Sequence, residues 1–369
     1  MQQKKEIKMD YNVTYREKDK GIQAIISYKD ATGRWKQKSK QGFKTQKASK
    51  PWIEDVVKEL EETIKYINPE LKETKLNELF NYFIEHAELH KETNTLISYD
   101  GAFKHFENIK DSKVAEIGTL EIQHCVDNMI RNKLMQSTIK TYVAKMKVIF
   151  NYAISPLKII KDNPFGDVSM PAKIKTEKKI KALTESELND LLNKMVKYKH
   201  YYIISLLAAT CGLRIGEILG LNWNDIDEKK STMNINKQWK LIIKKPLTCG
   251  IGPVKSTNSN REIPIPPKTL DALLKYKKEH PINISGRIIS YKRTDSTCSN
   301  LTARFKKNGY DISIHDLRHT YASMLVANGV DFKTVAELMG DTVQVVIDTY
   351  SHFTSDMMTK AQKAVNSIF

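Results

Sequence analysis

Cysteine is scarce in this chain of 369 residues, and the four present, Cys125, Cys211, Cys249 and Cys298, lie far apart with no Cys-x-x-Cys spacing. That argues against a disulfide framework or a zinc site and fits a reducing cytoplasm. Long apolar runs are missing as well. The most apolar stretch, Tyr201 to Leu213, is interrupted by Ser205 and Thr210 and stops at Arg214. It is too short to span a bilayer and predicts a buried helix. The opening residues MQQKKEIKMD are charged and lack the apolar core of a secretory signal. Internal repeats and low-complexity tracts are also wanting, so secreted, membrane-spanning and disulfide-scaffold classes are set aside. Acidic residues are in deficit: 43 Asp and Glu stand against 60 Lys and Arg, a formal net charge of +17. Residues 1–50 hold 14 of the cations and only 5 of the anions. This surplus does not bear on fold, but it points to a polyanionic partner, with nucleic acid ahead of an anionic membrane surface.

What the chain does contain is material for cores, with 40% hydrophobic and 28% charged residues over a length suited to two or three domains. Residues 11–45 predict a small sheet, with Ile22, Ala24 and Ile26 alternating with Gln23, Ile25 and Ser27, and a turn signal from Lys29 to Arg34. Arg34, Lys36, Lys38 and Lys40 then alternate along one strand face, interleaved with Trp35 and Phe43, and are expected to contact DNA. A helix follows over residues 48–66, with Trp52, Val56, Leu60 and Ile64 at four-residue steps. From Leu71 to Pro164 the pattern is helical. Leu76, Leu79, Phe80, Phe83 and Ile84 form one core stripe, and Ile139, Tyr142, Val143, Met146 and Ile149 form another. Lys140, Lys145 and Lys147 mark the polar side of the second. Gly166 to Lys181, with Pro171 and five lysines, is the clearest connector. Thr184 and Glu187 then make a capping box for a helix that turns Leu188, Leu191, Leu192 and Met195 inward. Short strands are expected around Met233–Trp239 and Val254–Ile265.

Four segments of the C-terminal half belong together. Thr210-Cys211-Gly212-Leu213-Arg214-Ile215-Gly216-Glu217 delivers an arginine at the end of an apolar helix. Val254-Lys255-Ser256-Thr257-Asn258-Ser259-Asn260-Arg261-Glu262-Ile263-Pro264-Ile265 is a polar turn between extended pieces. His315-Asp316-Leu317-Arg318-His319-Thr320 sets His315 and Arg318 three apart on a helical face. Leu338-Met339-Gly340-Asp341 is followed nine residues later by Tyr350-Ser351-His352. In this order and spacing the segments closely resemble the tyrosine recombinase (phage integrase) family, in particular the integrases of temperate phages and integrative conjugative elements of Gram-positive bacteria.

The resemblance covers the whole chain and implies a multidomain α+β architecture. Residues 1–66 would be a small β-rich arm-type DNA-binding module with its following helix. Residues 71–165 would be an all-α core-binding domain, 166–183 a basic linker, and 184–369 a mixed, mainly α catalytic domain with a small β-sheet. It implies a site-specific recombinase that integrates and excises a mobile element through a covalent 3′-phosphotyrosyl intermediate. The chemistry makes physical sense: a nucleophile that stays attached conserves the bond energy for rejoining. Tyr350 suits that role, although a tyrosine hydroxyl titrates near about 10. Arg214 and Arg318 can hold two phosphate oxygens by paired hydrogen bonds, which lysine cannot copy. By resemblance Lys255 protonates the leaving 5′-oxygen. His315 helps to deprotonate the tyrosine or binds the phosphate, and Glu217 orients the Arg214 region.

One position departs from the pattern: Asp341 stands where the family usually has histidine or tryptophan. An ionised Asp341 would repel phosphate, so it must point at a neighbouring cation, be held protonated, or be compensated by His319 or His352. No metal or other cofactor is expected. The implied partners are double-stranded DNA at core and arm sites, three further copies of the chain in a homotetramer, an excision factor and a host DNA-bending protein, in the cytoplasm of a bacterial host and at its nucleoid. An amphipathic tail, Met358, Ala361, Val365 and Ile368, would dock on a neighbouring subunit. The alternatives are a catalytically impaired DNA-binding protein on the same scaffold, a type IB topoisomerase, against which the arm-like module argues, and a membrane-surface protein.

Overall fold

The computed structural model describes residues 10–29, 35–171, 181–255, 257–281, 284–350 and 365–366. The Lys29–Arg34 turn beyond Lys29, the connector lysines Lys173 to Lys179, the side chain of Ile64, His352, and the tail residues Met358, Ala361 and Ile368 therefore lie outside the described residues. The chain divides into two compact units, Met1–Lys175 and Thr176–Phe369.

The first unit begins with an antiparallel sheet in the order β1 (Tyr11–Lys18), β2 (Gly21–Lys29), β3 (Trp35–Phe43), followed by helix α1 (Lys50–Tyr66). One sheet face packs on the helix, where Ile26 and Tyr28 meet Val56 and Leu60, and Trp52 and Ile53 close the edge. Register decides what else is on that face. Lys36 pairs with Tyr28, Lys38 with Ile26 and Lys40 with Ala24, and directly opposed residues project to the same side. The lysine row therefore projects to the α1 side of the sheet, with Lys36 and Lys40 still exposed, and Lys38 bonds Glu59 of the helix at 3.2 Å. The other face carries Asn12, Thr14 and Arg16 opposite Ser27, Ile25 and Gln23, with Gln37 and Ser39 beyond them. Side-chain bonds knit it together: Gln23 donates to Ser39 at 3.1 Å and Gln37 to Ser27 at 2.9 Å.

Helices α2 (Leu76–Glu88), α3 (Thr93–Phe103), α4 (Thr119–Arg131) and α5 (Gln136–Ile154) enclose a second core in this unit. Both expected stripes point into it, with Leu76, Leu79, Phe80, Phe83, Ile139, Met146 and Ile149 buried and the remaining members half-buried. On the polar side of α5 the Lys145 ammonium lies 4.3 Å from the centre of the Tyr99 ring, and partial burial lowers its pKa. The helical pattern also stops earlier than Pro164. α5 ends at Ile154, two residues before Pro156, which has no N–H with which to continue it. The coil beyond keeps Ile159 and Phe165 in the core.

In the second unit, α6 (Glu185–Met195) starts at the expected capping box, with Thr184 N–H donating to Glu187 at 2.8 Å. Next come α7 (Lys199–Cys211), buried from Ile203 to Ala209, and α8 (Ile215–Gly220). Strands β4 (Ile226–Asp227), β5 (Thr232–Ile235) and β8 (Arg261–Pro264) form one small antiparallel sheet, and β6 (Lys237–Ile243) with β7 (Thr248–Pro253) a separate hairpin. The hairpin extends beyond the strand expected around Met233–Trp239, and of the Val254–Ile265 segment only Arg261–Pro264 is strand among the described residues. Helices α9 (Pro267–Glu279), α10 (Thr294–Lys307), α11 (Ile314–Ala327), α12 (Phe332–Met339) and α13 (Val343–Tyr350) complete the unit. α7 lies at the heart of its core, with residues of α6, α9, α10 and the start of α11 around it.

Candidate active site

Tight helix ends build the site. α7 stops at Gly212, whose φ of +64° is the left-handed C-terminal turn that favours glycine. A Cβ there would lie 2.5 Å from the Tyr321 ring. The reversal makes Arg214 the N-cap of α8, and its guanidinium enters the domain from that corner. α12 ends in the same way at Gly340, also at φ +64°, and the next residue, Asp341, turns back toward the arginine. Arg318 comes from the first turns of α11 and is only 1% exposed.

Asp341 joins the two arginines. One carboxylate oxygen accepts from Arg214 Nη2 and the other from Arg318 Nη2, the latter at 2.5 Å. Backbone carbonyls hold each arginine as well, in part through the same Nη2 that meets Asp341. Arg214 donates to Gly340 O at 3.0 Å, and Arg318 donates to Met339 O at 2.7 Å and to Gly212 O. Burial works to raise the Asp341 pKa, but the charges of Arg318 and Arg214 win and hold it below the usual carboxylate range. Of the three resolutions open for this residue, the structure has the first: it points at cations, whose charge favours its ionised form.

Glu217, 3% exposed, supports the arrangement from beneath. It accepts from the Arg214 backbone N–H at 3.0 Å and from Arg214 Nη1 at 2.9 Å. Its second cationic partner is Arg261, at 3.0 Å. Burial opposes the charge on Glu217, and the two arginines overcome it. Arg261 was quoted in the sequence without a role. It also donates to Leu338 O at 2.8 Å and to Ser259 O at 2.9 Å, so it ties the polar turn to the end of α12. A Cβ on Gly340 would come within 2.7 Å of the Arg261 guanidinium. The strand pattern held the clue: Arg261, Ile263 and Ile265 alternate on one side, and a cation on an apolar strand face needs a buried anion.

Tyr350, the last residue of α13, is 1% exposed and packs with Ala322, Val335, Ala336, Met339 and Val346. Burial raises its pKa well above the usual phenol value; the charge of Arg318 offsets this in part and that of Asp341 adds to it. Its hydroxyl lies 2.6 Å from His319 Nδ1. His315 is an exposed ring at the rim, edge-on to His319 with centroids 4.6 Å apart. Loss of hydration, then the charge of Arg318, lowers its pKa. Lys255 is exposed on the turn leaving β7. Thus Arg214, Arg318 and Asp341 are in direct contact, Tyr350 and His315 border them, and Lys255 stands outside their hydrogen-bond network. Among the described residues no group of three or more His, Cys, Asp or Glu could hold a metal ion, and no helix is long and apolar enough to cross a membrane.

Two guanidinium groups converging on one carboxylate with a tyrosine beside them, on this fold, point to a class of DNA strand-exchange enzyme, and comparison with known proteins agrees. The Phage integrase family profile matches residues 181–356, the Arm DNA-binding domain 13–60, and the Phage integrase SAM-like domain 75–200. The chain belongs to the tyrosine recombinase (phage integrase) family, whose members break and rejoin DNA strands. A tyrosine recombinase XerC-like protein of Caldanaerobacter subterraneus subsp. tengcongensis is 26% identical over 82% of this chain and 85% of its own. The ICEBs1 integrase of Bacillus subtilis is 27% identical over 65% of this chain and 68% of its own. Among solved structures, the Tn1549 transposon integrase in complex with transposon right end DNA covers 79% of this chain and all of its own, with TM-score 0.66 and 20% identity. A lambda integrase dimer bound to a COC' core site covers 91% of this chain and 94% of its own, with TM-score 0.57 and 16% identity.

Proposed function

We propose that this recombinase is the integrase of a mobile element, a temperate phage or an integrative conjugative element, and that it acts through a 3′-phosphotyrosyl intermediate within a homotetramer holding two DNA duplexes. The observation that carries the reading is the Asp341 carboxylate seated between Arg214 and Arg318. It marks a place where two oxygens of one anion are held by two guanidinium groups, as the non-bridging oxygens of a scissile phosphate would be. On DNA binding Asp341 gives up that place. Tyr350, whose ionisation already senses both Arg318 and Asp341, then faces phosphorus. Lys255, free of the network on its turn, protonates the 5′-oxygen, and His315 lines the open side.

Within this reading residues 1–66 bind arm sites, 71–165 and 184–369 clamp the core site, and 166–183 tether them. Coupling two DNA-binding parts in one chain raises the effective concentration of each. The DNA-facing side of the arm module is the polar face with Arg16, Gln23 and Gln37, since the other is covered by α1. An excision factor and a host DNA-bending protein complete the assembly, in the cytoplasm and at the nucleoid of the host. The test is a nicked suicide substrate made from the element's ends. Wild type should form a denaturation-resistant protein–DNA adduct, and Tyr350→Phe should form none. Tight DNA binding without an adduct would instead identify a catalytically impaired scaffold.

A further inference from the structure

The nucleophile needs a proton acceptor, and the geometry selects one. Among the described residues the Tyr350 hydroxyl has a single side-chain partner, His319 Nδ1, at 2.6 Å. Both belong to elements fixed by the core: His319 is on α11, directly after the buried Arg318, and Tyr350 ends α13. Their separation is already that of a general base and its substrate hydroxyl. His315, one turn earlier, touches the ring of His319 edge-on and is exposed.

We propose that His319, and not His315, takes the proton from Tyr350 during strand cleavage and returns it during rejoining. The proposal rests on Tyr350 being the nucleophile. In the forward step the Tyr350 O–H bond breaks and its proton goes to His319 Nδ1. The phenolic oxygen bonds to phosphorus, and the bond from phosphorus to the 5′-oxygen breaks as that oxygen gains a proton from a separate acid. In the reverse step the 5′-hydroxyl attacks, and the departing tyrosine recovers its proton from the histidinium. One base thus serves both directions without exchange with solvent.

The surroundings suit the role. His319 must be neutral to accept, and burial, then the charges of His315 and Arg318, lower its pKa, while Asp316 and Asp341 act in the opposite sense. These, with the Tyr350 hydroxyl, are the titratable and charged groups that face it from α11, from the loop after α12 and from α13. Burial raises the Tyr350 pKa, so the hydroxyl keeps its proton until attack. Displacement of Asp341 by a phosphate leaves an anion beside His319, which supports the histidinium as it forms.

The test measures adduct formation on the suicide substrate across pH for wild type, His319→Asn, His319→Ala and His315→Asn. Asparagine keeps an acceptor oxygen on a short side chain but cannot carry the proton. His319→Asn should bind DNA as wild type does yet form adduct about 100-fold more slowly or worse, and it should lose the imidazole-like rise of rate with pH. A ring-fluorinated, more acidic tyrosine at position 350 should recover a large part of that loss in His319→Asn and none in Lys255→Ala. The proposal is overturned if His319→Asn keeps both rate and pH profile, if the rise vanishes with His315→Asn instead, or if fluorination gives no recovery. Should wild type itself form no adduct, it is the nucleophile assignment that fails, and the base assignment fails with it.

Discussion

Arg261 and Glu217 meet as a buried pair, guanidinium to carboxylate at 3.0 Å, with side chains 6% and 3% exposed. The pair joins three parts that are far apart in sequence: the corner after α7, the strand that follows the Lys255 turn, and the end of α12. Arg214 shares Glu217 with it, so one buried carboxylate ties the position of Arg214 to that of Arg261.

Arg261→Ala is therefore expected to destabilise the catalytic unit by about 3 kcal/mol, because Glu217 would be left charged and buried with one partner fewer. Arg261→Lys should recover part of the stability but not the paired geometry. Adduct formation in Arg261→Lys should fall at least about tenfold at unchanged core-site affinity. Thermal melts and suicide-substrate kinetics together check this; a lysine variant of full activity would rule out the positioning role.

Asp341→Asn should have opposite effects on stability and on binding. Without the carboxylate, two guanidinium groups face each other with less compensation, and stability should drop by about 1–3 kcal/mol. The same change removes the anion from the place proposed for phosphate, so core-site DNA should bind several-fold more tightly at fixed salt. Fluorescence anisotropy over a salt series would detect this, and weaker binding would contradict it.

The pH dependence has a definite sign. The pKa values of Asp341 and Glu217 are both depressed in the folded protein, so their stabilisation is full above the unfolded carboxylate range of about 4 and is lost as pH falls through the folded values. Melting temperature should decline on acidification from about pH 4, and Asp341→Asn should flatten part of that decline.

Gly340→Ala tests the close approach at the end of α12. The positive φ and the 2.7 Å and 3.0 Å approaches to Arg261 and Ser259 predict a loss of about 1–3 kcal/mol and a marked loss of adduct formation. Wild-type melting and activity would show that the turn has room to relax.

Much of the site was legible in the sequence because its members sit at local punctuation: Arg214 after a helix-ending glycine, His315 and Arg318 one turn apart, Asp341 after a second helix-ending glycine. Asp341 was recognised as a departure, but its ionisation depended on two arginines more than twenty residues away in sequence, which only folding brings together. Arg261 had no role legible in the sequence, and His319 only that of compensating for Asp341, since their meaning comes from long-range partners, Glu217 and Leu338 for the one and Tyr350 for the other. In the N-terminal module, alternation showed that Lys36, Lys38 and Lys40 share a face. Which face depends on pairing with β2, and a strand read alone carries no register.

That register has a practical meaning for anyone redirecting this enzyme to a new arm sequence. The lysine row is attractive to edit, being conspicuous and basic, yet it lies on the side of the sheet that packs on α1, and Lys38 bonds Glu59 of that helix. Randomising it would disturb the Lys38–Glu59 pair and mix an effect on the sheet–helix contact with any effect on DNA. The informative library lies on the opposite side, at Asn12, Thr14, Arg16, Gln23, Ser27, Gln37 and Ser39, where short polar side chains bridge neighbouring strands and a changed preference can be read as a changed vocabulary of bases.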